Sequence, residues 1–235
     1  MYLTHKTHIK KDMKLSVLIN ENPFLLLFLE HLEVDFVVKD KTLEQICSEY
    51  KLDISTVLLI ANLYNGFYPS VSDLKKITDI SLIIKFLGNS HKYYKNDKYP
   101  EISNYISDLK KIKPSHDIDL ISSFFSEYFN EVLEHLDYED EIAFPYFCRL
   151  NEDTRKGQKE KFSVHEYSEH HTDIETKLTD LKNLLLKHIS IKNELPLRRR
   201  LLISLFELEY DLIIHSMIEE KILLPLVERF EGQEV

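Results

Sequence analysis

The chain has 235 residues, a formal charge of -10, and four glycines against seven prolines. That length supports one sizeable domain, or one with a small companion. The acidic balance, with no basic stripe beyond Arg198-Arg199-Arg200, argues against a nucleic-acid partner, because phosphates need cations to neutralise them.

The first residues, Met1 to Lys6, lack the apolar core of a signal peptide. The longest apolar run, Pro23 to Leu29, is far shorter than the roughly 20 residues of a spanning helix. Two cysteines, Cys47 and Cys148, are too few for a disulfide framework. The expectation is a cytoplasmic protein that meets no membrane. With four glycines there is no P-loop, no G-x-G-x-x-G and no nucleophile elbow.

Taken in order, residues 1–14 are polar and basic and read as a loose tail. Residues 15–68 read as a small helical domain: Ser16-Val-Leu-Ile, then Asn22-Pro23 opening Phe24-Leu-Leu-Leu-Phe-Leu, then Thr42 capping Leu43 to Cys47, then Ile54 to Leu63. Asn65-Gly66 and Pro69-Ser70 punctuate the chain there. Residues 69–235 form a second domain. In it the apolar positions fall into a 3-4 stripe in four successive segments, which predicts helices packed as a bundle.

The first stripe is Ile80, Ile84, Leu87, His91 and Tyr94. The second is Ile121, Phe125, Tyr128, Val132, His135, Glu139 and Ile142. The third is His171, Ile174, Leu178, Leu181 and Leu185. The fourth is Leu201, Leu205, Leu208, Leu212, His215, Glu219, Ile222 and Leu226. Each stripe carries one histidine. Residues 100–112 continue the first helix after a bend, because Pro100 cannot donate to the helical ladder.

Two of these stripes share a motif. His135-Leu-Asp-Tyr-Glu139 runs on into Asp-Glu-Ile-Ala-Phe-Pro145, and His215-Ser-Met-Ile-Glu219 runs on into Glu-Lys-Ile-Leu-Leu-Pro225. Both read H-x-x-x-E-[DE]-x-I-x-[FL]-P. Residues i and i+4 share a helix face, so each copy sets an imidazole beside a carboxylate. The bare spacing also fits His165 with Glu169 and His171 with Glu175. The shared tail, with a proline that ends or kinks each helix at one distance from the histidine, sets the two copies apart. The structural alternative is a pair of surface helices with ordinary His/Glu pairs.

Two buried carboxylates need a compensating cation, since an uncompensated buried charge costs several kcal/mol, and no lysine falls on the four stripes. A metal fills that role and becomes part of the folding energy. Imidazole and carboxylate without thiolate suit iron, manganese or zinc. Six ligands exceed one tetrahedral zinc and suit two metals bridged by the two glutamates. Of the about twelve positions of two octahedral ions, such a set leaves about one open per metal for a small molecule. The Glu-x-x-His of ferritin-like sites is absent, and His165-Glu166-Tyr-Ser-Glu169-His170 places its second histidine one residue too late for a zincin.

On these residues the chain resembles the haemerythrin-like H-H-E cation-binding domain, and within it the repair-of-iron-centres family. The resemblance implies an all-α fold, a haemerythrin-like four-helix bundle preceded by a small helical N-terminal domain. It implies His91, His135, His171 and His215 as terminal ligands and Glu139 and Glu219 as bridges of two iron ions, oxo- or hydroxo-bridged. His171 is preferred to the adjacent His170 because it keeps the spacing to Leu178 and Leu181.

Glu33-Val-Asp-Phe36 and Lys41-Thr-Leu-Glu-Gln-Ile-Cys47 extend the resemblance to the N-terminal domain. Val37-Val38 stands where the family commonly has a Cys pair, so no redox or metal role carries over to that loop. Tyr94 stands where the family's first helix often has a second histidine and is placed to donate a hydrogen bond near the site or to pack as an ordinary buried tyrosine. His116 reads as a residue at a helix start. The implied function is iron-centre repair or iron delivery under nitrosative or oxidative stress, with nitric oxide or dioxygen as gas ligand and iron–sulfur proteins as clients. The alternative is a di-iron sensor or binder of those gases without turnover.

Overall fold

The computed structural model describes residues 6–112, 114–152, 172–187 and 194–232. Every named element among them is helical, and the sole strand-like feature is an isolated antiparallel bridge between Lys14 and Thr42. None of the described helices is long and apolar enough to cross a membrane. The chain divides into two compact units. The first comprises Met1–Ser90, Phe144–Val164 and Ile214–Val235, the second His91–Ala143 and His165–Ile213.

The first unit begins with four short helices, α1 (Leu15–Glu21), α2 (Leu25–His31), α3 (Leu43–Tyr50) and α4 (Ile54–Tyr64). Thr42 caps α3 as its place before Leu43 predicts, accepting from the Gln45 N–H while the Gln45 side chain takes the Thr42 N–H. Asp53 caps α4 through the Thr56 N–H at 2.7 Å. Leu25, Phe28, Leu29, Leu63 and Tyr64 are buried, with the Phe28 and Tyr64 rings edge-on at 5.7 Å. A single turn, α5 (Val71–Leu74), leads into α6 (Ser81–Tyr93), whose Phe86 joins this cluster.

Sequence reading makes residues 1–14 a loose tail; the described part is fastened down. Ile9 is 1% exposed. The Asn62 amide accepts its N–H at 2.8 Å and donates to its carbonyl at 3.1 Å, and Asn65 donates to the Thr7 carbonyl at 2.9 Å. Two asparagine side chains thus supply the partners that buried backbone requires. The end of the chain belongs to the same unit. Arg229 donates to the carbonyls of Leu74 (2.9 Å) and Ile77, and Tyr146 donates to Glu231 at 2.7 Å.

The second unit holds the last turn of α6 from His91, a π-helical turn (Tyr94–Lys98), α7 (Tyr99–Ile112), α8 (His116–Tyr138), a second π turn (Glu139–Ala143), α10 (Thr172–Lys187) and most of α11 (Leu195–Ile218). Here α8 packs against both α7 and α10. The stripes are buried as the 3-4 spacing predicts: Ile121, Phe125, Tyr128 and Val132 on α8, Leu178, Leu181 and Leu185 on α10, and Leu201, Leu205 and Leu208 on α11 are each 2% exposed or less. Tyr99 stacks on Phe129 with ring centroids 4.2 Å apart. Two lysines off the stripes are buried as well. Lys98 is held by Glu101 and Glu207, and Lys182 by Glu209.

The prolines neither end nor break these helices. A π turn ends two residues before Pro100, another two before Pro145, and a third (Glu219–Leu223) two before Pro225; α9 (Phe144–Glu152) and α12 (Leu224–Phe230) carry the last two helices on. In the first and third turns the hydrogen bonds span five residues: the Tyr99 N–H donates to the Tyr94 carbonyl and the Leu224 N–H to the Glu219 carbonyl. A proline lacks the N–H and crowds the carbonyl four residues back; one wide turn ahead of it absorbs the mismatch. In the second turn Ile142, expected on the second stripe, is 50% exposed and Ala143 fully buried, whereas Ile222, at the same place in the third turn, is fully buried.

Candidate metal centre

Each π turn in the second copy of the motif and in the first begins at a glutamate that the sequence analysis singles out. Glu139 is 0% exposed, and so is Glu219. Within the second unit the Glu139 carboxylate stands between two imidazoles, its Oε1 3.1 Å from His135 Nε2 and its Oε2 3.2 Å from His91 Nε2. Within the first unit Glu219 Oε1 stands 3.3 Å from His215 Nε2, one helical turn back. The i, i+4 spacing therefore does what helix geometry requires in both copies, and α6 contributes the third histidine.

The far sides of two of these rings are held. His91 Nδ1 meets Asp140 Oδ1 at 2.8 Å, and the other Asp140 oxygen accepts from Lys95 at 2.8 Å. Burial pushes the Asp140 carboxyl up, but the His91 contact and the Lys95 ammonium outweigh it and hold it below the usual aspartate value. An ionised acceptor there puts the proton of His91 on Nδ1.

His215 Nδ1 meets Ser90 Oγ at 2.8 Å. The one hydroxyl proton of Ser90 is donated to the Leu87 carbonyl at 2.7 Å, so Ser90 accepts from His215 and the proton again sits on Nδ1. In both rings Nε2 then turns a lone pair toward a carboxylate. That arrangement is repulsive unless a proton or a cation stands between them. Two ligands at right angles, each about 2.1 Å from one metal, lie ~3 Å apart, which matches the Nε2–Oε separations of 3.1 to 3.3 Å. Imidazole Nε2 facing a carboxylate, with Nδ1 tied to an outer acceptor, is the donor set that first-row metals use.

Among the described residues His91 and Glu139 in the second unit and His215 in the first are buried and offer atoms that could hold a metal ion. His135, 12% exposed on its side chain, pairs with Glu139 within the second unit, and Glu219 with His215 within the first. His171 and its neighbour His170 lie outside the described residues. Tyr94, one of the two options left open for it by the sequence, is buried and donates to Asp211 Oδ2 at 2.8 Å. His116 is the exposed first residue of α8, behind the Ser115 cap.

Three functional groups are absent from the sequence reading: Asp140, Ser90 and Asp211. Asp140 carries a signal, since both motif copies place an acid directly after the glutamate; in the second copy that acid is Glu220, which pairs with Lys221. Asp211 lies four residues before His215 and could be found on the same helix face. Ser90 has no sequence signal, because its pairing spans 125 residues. Comparison with protein-family models and with curated proteins finds no match to this chain.

Proposed function

We propose that this chain is a non-haem di-iron protein of the haemerythrin-like, repair-of-iron-centres type, serving iron-centre repair or iron delivery under nitrosative or oxidative stress. The observation that carries the reading is the pair of histidines whose Nδ1 protons are committed to Asp140 and Ser90 while their Nε2 atoms face buried glutamates. By the resemblance, His91, His135, His171 and His215 would hold the irons as terminal ligands and Glu139 and Glu219 as shared carboxylates, each taken from one of the four apolar stripes.

When bound, the iron pair supplies open coordination positions for nitric oxide or dioxygen. The residues of the chain do the rest. Asp140 and Ser90 orient the imidazoles and raise their basicity. Leu212, Ile218 and Ile222, all buried, line the helix faces that carry His215 and Glu219 and keep water from them. Iron–sulfur proteins are the clients that such iron chemistry would serve.

The test is metal content per chain and an optical spectrum, on protein grown with added iron and purified without chelator. About two irons per chain, followed by consumption of nitric oxide with a formed product, is the expected result. Reversible, stoichiometric gas binding would instead make the chain a di-iron sensor or carrier. A folded protein that takes up no iron or other metal overturns the reading, and leaves the His/Glu pairs as protonated imidazolium–carboxylate contacts.

A further inference from the structure

Far along the chain from these ligands, the first unit carries a groove of about 350 Å³. One wall is the segment His8 to Lys11, which Asn62 pins to α4 by gripping both polar groups of the Ile9 backbone. The same Asn62 amide also donates to the Leu58 carbonyl at 2.9 Å, so the segment and Leu58 share one anchor. Phe67 to Pro69, Asp73 and Lys76 complete the lining, and the Ser70 cap on the Asp73 N–H sets the start of α5 beside it. The groove exists before any ligand arrives, which lowers the cost of filling it.

Its chemistry is two-sided. Leu58, Leu59 and Phe67 give the groove an apolar lining, and Tyr68, 64% exposed, lines it as well. The His8 ring lies edge-on to Phe67 at 5.1 Å. The rim is basic in a chain of net charge -10. Lys11 and Lys76 line it with ion pairs to Glu44 and Asp73 at 2.8 Å each. The Asp73 carboxylate is itself taken up by Lys76 and Ser70. Lys10 also lines it, and its ammonium makes no ion pair among the described residues. An ammonium with no ion pair among the described residues, beside an aromatic and aliphatic lining, fits a flat apolar body with a single negative head.

We infer that this groove is a binding site for a small aromatic carboxylate, its ring stacked among Phe67, Tyr68 and Leu58 and its carboxylate on Lys10. A volume of this size suits a one- or two-ring molecule, and stacked or edge-on rings favour such a body beyond the area they bury. The site is independent of the metal centre and of the function proposed for it.

The probe is 2-naphthoate, titrated into the isotopically labelled full chain and followed by amide chemical shifts. Saturable shifts confined to residues 8–11, 58–62 and 67–76 are expected, with the neutral 2-naphthalenemethanol binding at least fivefold more weakly. Lys10→Glu should weaken naphthoate about fivefold, the scale of reversing one exposed charge contact, while Lys75→Glu, exposed on α5's end but outside the groove, leaves it unchanged. Leu58→Glu, at a half-buried place in the lining, should abolish the shifts without unfolding the chain, as its amide spectrum will show. Equal affinity for the neutral analogue, shifts located elsewhere, or no saturable shift would each overturn the inference.

Discussion

Replacing Glu139 by Gln separates the part of the folding energy that comes from metal from the part that comes from the chain. The carboxylate is fully buried, with one oxygen on each of two imidazoles at 3.1 and 3.2 Å. Glutamine keeps the shape and removes the charge. Without metal, the variant no longer buries an anion whose desolvation costs several kcal/mol, so it should melt no lower than the metal-free wild type. With iron(II) at a hundredfold excess over its dissociation constant, the wild type gains about 2.7 kcal/mol. At about 2–4 °C per kcal/mol for a chain of this size, that is a rise of roughly 5–11 °C in Tm. The variant should show less than a quarter of that rise. Calorimetric melts under anaerobic conditions, with magnesium in place of iron as a control, measure both quantities. Equal iron-dependent rises in the two proteins would refute Glu139 as a ligand. A metal-free variant that melts several degrees below the metal-free wild type would show instead that the carboxylate and its histidines form a closed ion-pair network.

Asp140→Ala and Ser90→Ala should each lower iron affinity about 10- to 100-fold, the cost of losing the outer partner of a metal-ligating histidine. Competition with a chromophoric chelator measures it, and unchanged affinity in both would refute their orienting role. A pH test falls on Glu101, away from the ligands. Burial pushes its carboxyl up, but hydrogen bonds from Lys98 (2.7 Å), Ser204 (2.8 Å) and Tyr105 (2.9 Å) and the Lys98 charge prevail and hold it below the ordinary value of 4.5. A carboxyl depressed in the folded state stabilises fully above its ordinary value, and the contribution fades as pH falls through the depressed one. The gap in urea midpoint between wild type and Glu101→Gln should therefore be largest near neutral pH and close in acid; a gap of constant size would refute the assignment.

Helical periodicity made much of this fold legible. The positions of Leu201, Leu205 and Leu208 or of Phe125, Tyr128 and Val132 repeat every three or four residues, and burial follows that repeat because one face of each helix meets the core. The burial of His91, Glu139, His215 and Glu219 was legible for the same reason, since they are polar residues on apolar stripes. What lay beyond reach depends on contacts between distant segments. Ser90 reaches His215 only through tertiary structure, and Lys98 and Lys182 are buried off the stripes because acids from elsewhere in the chain meet them. Residues 6–14 look polar enough to be loose, yet Asn62 and Asn65 satisfy their backbone and hold Ile9 inside. Ile142 was misplaced: in the π turn that begins at Glu139 it is Ala143, one residue on, that takes the buried place.

That wider turn changes how the chain must be counted. An α-helix advances by 100° per residue, so a turn that accommodates one extra residue resets the phase of everything after it. The sequence before Glu139 and the sequence after it obey the same rhythm with a missed beat between them. A one-residue deletion inside either turn would leave every hydrophobic residue in place along the sequence while rotating the segment beyond the proline by about a quarter of a revolution. Phe147 in one helix, Leu226 and Val227 in the other, now fully buried or nearly so, would swing off the core. The glutamate and the proline thus bracket a length of chain that tolerates substitution far better than it tolerates a change in the number of its residues.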